Sequence, residues 1–143
     1  MKNIVFCLFV SVGLSAQINQ KAHLPDAHVY DIINAVSEDR LRSDVKTLAD
    51  FGTRHTLSDT ISDTRGIGAA RRWIKSEFET ISNNCNNCLD VFYQSDLVKE
   101  GENSRIVKDV KVVNVVAGQK GTTYPNRYII MSGDIDSRNS DPV

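Results

Sequence analysis

Near the end of the chain, Tyr128-Ile129-Ile130-Met131 sets four large apolar side chains in a row, followed at once by Gly133-Asp134-Ile135-Asp136. A short apolar run without alternation reads as a strand covered on both faces, and it predicts a strand over Arg127–Ser132. Covering both faces takes a layer of helices on each side, so this run points to a layered α/β fold rather than a helical bundle or a one-sided sheet.

The preceding segments fit that class. Asp31–Val36 reads as one or two helical turns. Ser37 is a good N-cap, with Glu38 and Asp39 in the first turn, where the helix dipole favours acids. Leu41, Val45 and Leu48 then fall on one helical face, and Gly52 marks the end. A polar loop, Thr53–Thr64, leads to a second helix over Arg65–Ser82 with Ile67, Ala70, Ile74, Phe78 and Ile81 as its apolar stripe and Trp73 beside it. Arg71, Arg72, Lys75, Glu77 and Glu79 are read as its solvated side. The period then changes. Leu89–Val98 alternates loosely as a strand, and Val110–Ala117 is strongly β-branched, predicting a strand from about Ile106 to Gly118. The two strands are expected to pair as a hairpin, and Gly121–Asn126 is a turn. The expected fold is therefore α/β with a mixed sheet, its most buried strand coming last.

The first residues are excluded from the fold. Lys2 followed by the apolar stretch Ile4–Leu14, then Ser15-Ala16-Gln17, has the form of a secretory signal peptide over residues 1–16, leaving 17–143 as the folded part. The apolar stretch is short for a membrane span, so no stable membrane insertion is expected. Export predicts a secreted or periplasmic protein. It also changes the meaning of Cys85 and Cys88, which in an oxidising compartment favour a local disulfide. Half of a zinc knuckle or a redox pair would use the same spacing. However, no further ligands follow for the first, and the strand-then-helix setting of the second is missing.

A formal net charge of -1 and only 7% aromatic residues give no basic field or stacking platform for nucleic acid. Gly66 and Gly68 lack the third glycine and the preceding strand of a nucleotide loop. His23, His28 and His55 form no ligand-spaced pair and read as surface or capping residues. The chemistry is expected in the loop after the apolar run, because ligands of open α/β sheets bind beyond the carboxyl ends of strands. Asp134 and Asp136 stand there two residues apart, on the same side of an extended chain. Crowded carboxylates call for a cation, a proton or hydrogen bonds, while loop aspartates also commonly serve as turn formers.

Three stretches together resemble metallopeptidase family 28, the co-catalytic zinc aminopeptidases. They are Phe51-Gly52-Thr53-Arg54-His55-Thr56-Leu57-Ser58, then Arg65–Ile74 with Phe78, then Asn114–Gly118 with Tyr128–Ile130 and Gly133–Arg138. The resemblance implies a three-layer α/β/α zinc-exopeptidase fold, of which this chain is the N-terminal part. It implies two zinc ions, a peptide or protein substrate, and hydrolysis by a metal-bridged water. Family members carry His-x-Asp-Ser at the end of the buried strand. On that match Asp134 takes the zinc-ligand position in place of His, and Asp136 takes the supporting catalytic position. The family's bridging aspartate, glutamate base and later ligands would lie past Val143, so residues 17–143 alone are expected to be catalytically silent. The missing histidine leaves a second reading, a non-catalytic member of the fold acting as a binding or scaffold module.

Overall fold

The computed structural model describes residues 26–137. Residues 1–16, read above as a signal peptide, and His23, Arg138 and Asp141 lie outside them. Among the described residues no helix is long and apolar enough to cross a membrane. The chain divides into two compact units, one ending at Val36 and one beginning at Ser37.

In the first unit, α1 spans Ala27–Asn34, earlier and longer than the turn expected over Asp31–Val36. Its start is set by Asp26, whose carboxylate accepts from the His28 N–H at 3.1 Å. That cap supplies an acceptor for a first-turn donor and lets the helix begin four residues sooner.

The second unit opens with α2, Glu38–Asp50, where the Ser37 hydroxyl accepts from the Arg40 N–H at 3.2 Å. Its apolar face is less covered than its spacing suggests: Leu41 and Val45 are exposed, and only Leu48 is half-buried. Surface ion pairs run along it, Glu38 with Arg42 at 2.8 Å and Lys46 with Asp50 at 2.7 Å, each contributing a few tenths of a kcal/mol at most (about 0.3–0.5 for such helix pairs). Arg40 pairs with Asp44 and also with Glu77 of the next helix, tying the two helices at their polar sides. Gly52, at φ 68, reverses the chain after α2.

The helix α3 spans Gly66–Asn84 and holds the core of the unit, with Ile67, Ala69 and Ala70 almost fully buried. Its N-cap residue, Arg65, makes no side-chain cap. The end of α2 and the loop before α3 supply the acceptors instead. Gly66 N–H donates to Phe51 O at 2.9 Å, Ile67 N–H to Ser58 Oγ at 3.0 Å, and Gly68 N–H to Asp59 O at 3.0 Å. Three of the four orphan donors of the helix start are thereby satisfied, one by the C-cap of α2 and two by the Ser58-Asp59 strip of the loop. That strip lies so close that a Cβ at Gly66 would meet Asp59 O at 2.4 Å, and one at Gly68 would meet Thr60 O at 2.2 Å. Gly-x-Gly here serves a backbone-to-backbone approach.

Arg71 corrects the expectation of a solvated basic side: it is 8% exposed and lies on the buried face of α3. Its position, four after Ile67 and three before Ile74, is on the apolar stripe. Arg72 does face outward, and its guanidinium donates to the carbonyls of Thr60 at 3.0 Å, Ile61 at 3.2 Å and Ser62, binding the loop to the helix.

At the end of α3, Ser82 is buried, and its hydroxyl donates to Leu89 O at 3.0 Å and accepts from Leu89 N–H at 3.1 Å. Cys85 and Cys88 are joined by a disulfide with Cα atoms 5.4 Å apart. Asn86 and Asn87 both take φ 59, the left-handed region that asparagine tolerates better than most residues. The strand β1, Asp90–Val98, follows directly and pairs antiparallel with β2, Val110–Gly118, in an unbroken register from Asp90 opposite Gly118 to Val98 opposite Val110. The hairpin is as expected, but β2 begins at Val110 rather than near Ile106. The loop between the strands closes on Asp109, which accepts from Lys99 Nζ at 2.7 Å and Glu100 N–H at 3.0 Å.

Among the described residues the elements are three helices and this two-stranded ribbon, a mixed α/β set, and within the second unit α3 lies against both strands. The strand expected over Arg127–Ser132 does not form. Tyr128, Ile129, Ile130 and Met131 are 84–95% exposed and pair with neither edge of the ribbon among the described residues. An apolar run demands cover, but a strand exists only where a neighbouring backbone meets it, and a two-stranded ribbon offers little of either.

Two aspartates make the loops of this unit acid-sensitive. The N–H groups of Ser62 and Ile61 hold the Asp59 carboxyl below its usual value, and Lys99 with the Glu100 N–H does the same for Asp109. A lowered folded-state value means the stabilisation is present above the ordinary carboxylate pKa of 3.8 and is lost as pH falls through the depressed value. Acid titration should move the Ser62 and Glu100 amide resonances with midpoints below that ordinary value. Midpoints at or above it would show that neither carboxylate holds its turn.

Candidate metal loop and its cavity

The loop that carries the two candidate aspartates runs along one cavity of about 400 Å³, whose lining includes Arg71 and Phe78 of α3, Asn114 of β2, Asp134 and Asp136. Both aspartates line it, as does the intervening Ile135, and both are exposed. No group of three His, Cys, Asp or Glu side chains able to hold a metal occurs among the described residues. His55 is engaged locally, its Nδ1 accepting from Leu57 N–H at 3.1 Å. Cys85 and Cys88, being joined to each other, offer no thiolate. Asp134 and Asp136 therefore fit zinc as hard oxygen donors, but as a partial set, short of the four ligands zinc takes.

Two arginines define the surroundings of the loop, and neither was assigned a role from the sequence. Arg54 lies just beyond the end of α2. Its Nε donates to Ile135 O at 2.8 Å, and its backbone N–H donates to Ser137 Oγ at 3.0 Å. Ser137 N–H donates back to Arg54 O at 3.3 Å. No local periodicity signals such contacts, because they join residues more than eighty positions apart. The second, Arg71, lines the same cavity. Its Nε is buried without a hydrogen-bond partner among the described residues, and burial lowers the guanidinium pKa from its usual value. The helical spacing from Ile67 was the available signal for it.

No family model matches the chain, and no solved structure matches it. Curated proteins do. A protein of Pyricularia oryzae is 42% identical over 120 residues, covering 84% of this chain and 24% of its own length. Another, from Pyrenophora teres f. teres, is 39% identical over 120 residues, covering 84% of this chain and 26% of its own length. A third, from Phaeosphaeria nodorum, is 38% identical over 123 residues, covering 86% of this chain and 25% of its own length. The chain thus spans about a quarter of the length of the curated relatives it matches, and over most of its own length it is similar to proteins each named a probable zinc metalloprotease.

Proposed function

We propose that the chain is the N-terminal part of an exported zinc exopeptidase, an aminopeptidase of the α/β/α type. The observation that carries this reading is the loop in which Asp134 and Asp136 face one cavity at the end of the apolar run, in a chain similar to relatives named zinc metalloproteases. Asp134 would supply an oxygen ligand, and Asp136 would orient the site from behind it. Zinc, when bound, supplies Lewis acidity toward a peptide carbonyl and toward water. The remaining ligands, a second ion and the glutamate base would come from residues after Val143, and the chain alone would not turn over substrate. The apolar leader and the disulfide support export to the periplasm or the medium, and the charge balance supports a peptide rather than a nucleic acid as partner.

The reading frame beyond Val143 is the first test, since it should continue into the acidic and histidine ligands. The longer protein should then release N-terminal residues from unblocked peptides and leave N-acetylated peptides intact. Chelation should lower activity by about a hundredfold or more, because the Lewis acid contributes several kcal/mol to the barrier, and added zinc should restore it. Cleavage of blocked peptides would overturn the exopeptidase reading. A folded protein without turnover in either condition would favour the non-catalytic binding module, the reading that aspartate in place of histidine at position 134 also suggests.

A further inference from the structure

We propose that Arg54 is the positioning residue of the Asp134–Ser137 loop, fastening it to the end of α2; this rests on the reading of that loop as a metal site. One guanidinium serves three carbonyls. Its Nη1 donates to Leu48 O, in the last turn of α2, and to Gly52 O at 3.3 Å, while Nε donates to Ile135 O. The end of a helix leaves its carbonyls without intrahelical donors and carries a partial negative charge, so a cation placed there is stabilised by both effects. The same cation then grips the carbonyl lying between Asp134 and Asp136. Each carboxylate is therefore one residue away from a fixed point.

The backbone of Arg54 adds a second fastening. Its N–H and C=O exchange hydrogen bonds with the hydroxyl and N–H of Ser137, directly after Asp136. Gly52 makes this possible, since its left-handed φ of 68 turns the chain so that Arg54 looks back at both the helix end and the loop. Lysine would not substitute. A single ammonium lacks the planar fork that reaches three acceptors in different directions. Residues that hold ligands in place from outside the coordination shell commonly change metal affinity by about 10- to 100-fold when lost.

The test uses the longer protein that carries the remaining ligands, oxidised and isotopically labelled, followed residue by residue in solution. Amide exchange at Ser137 reads the fastening, and titration with Zn²⁺ reads affinity from the shifts of Asp134–Asp136, separately from those of His28 and His55. Arg54→Lys should accelerate Ser137 exchange about tenfold and weaken zinc binding at the aspartates by about 10- to 100-fold, with β1–β2 amides still protected. Ser137→Ala, which leaves the helix end untouched, should weaken zinc binding by a smaller factor in the same direction and serves if the arginine variant does not fold. Unchanged Ser137 exchange in Arg54→Lys overturns the fastening. Accelerated exchange with unchanged zinc affinity overturns the positioning role. No zinc-dependent shift at Asp134 or Asp136 in the unaltered longer protein overturns the metal reading and the role built on it, and Ser137 exchange still tells that failure from failure of the fastening itself.

Discussion

Gly68→Ala is expected to destabilise the chain by about 3 kcal/mol, the upper range for forcing extra atoms into a packed site. In an ordinary helix interior the same change stabilises, because alanine is favoured over glycine by about 1 kcal/mol. Here the new methyl would stand 2.2 Å from Thr60 O, 2.4 Å from Thr60 C and 2.6 Å from Thr60 Cα. All three are backbone atoms. They cannot swing away as a side chain would, and Thr60 O is further held by Arg72 at 3.0 Å. Moving the loop would also strain the bond from Gly68 N–H to Asp59 O, which satisfies the helix start. Urea unfolding of the oxidised chain measures the effect, with Gly133→Ala as a control because nothing lies within 4 Å of a Cβ there. A midpoint equal to or above that of the unaltered chain would mean that the loop does not lie on the start of α3.

The second large effect has the opposite sign. Arg71→Met should stabilise the chain by about 2 kcal/mol, within the range seen when buried ionic groups give way to apolar side chains of similar volume. Arg71 keeps an Nε in the core with no acceptor among the described residues, and a donor left in that state costs about 1–3 kcal/mol. Methionine retains the unbranched stem and adapts to irregular space. Arg71→Lys, which keeps the charge, should gain nothing. A loss of about 3 kcal/mol or more for Arg71→Met would instead show that a counter-charge reaches the guanidinium, since removing one member of a buried pair costs that much.

Much of the local structure was legible because it is decided locally. Ser37 with two acids after it announces a helix start, and a Ser hydroxyl three residues before a free N–H is all the cap requires. The β-branched run after Val110 and the alternation before Val98 announce the hairpin, whose strands pair in unbroken register. Ile106 and Val107 are as β-prone as the strand proper, so the sequence alone did not show that Asp109 closes the loop and delays the strand to Val110. The Asp26 cap starts α1 at Ala27, ahead of the apolar spacing that marks Asp31–Val36. At Arg71 two signals conflict: charge suggests solvent, while spacing puts it on the apolar face, and spacing wins. At the candidate site the two aspartates could be found from their position after the apolar run. Arg54 could not, because its partners are fixed by how distant segments meet. The apolar run itself marked a need for burial without saying what would meet it.

The pairing of Arg54 with Ser137 has a kinetic consequence. It closes a chain segment of 83 positions, whereas the innermost rung of the hairpin closes only the stretch between Val98 and Val110. Closing the longer segment costs about 2 kcal/mol more in chain entropy, and that cost is met before any of its bonds form. The hairpin and the junction of α3 with β1 therefore assemble early and on their own terms. Of the contacts in the second unit, the fastening of the aspartate loop spans the longer stretch of chain and is expected to form after the hairpin.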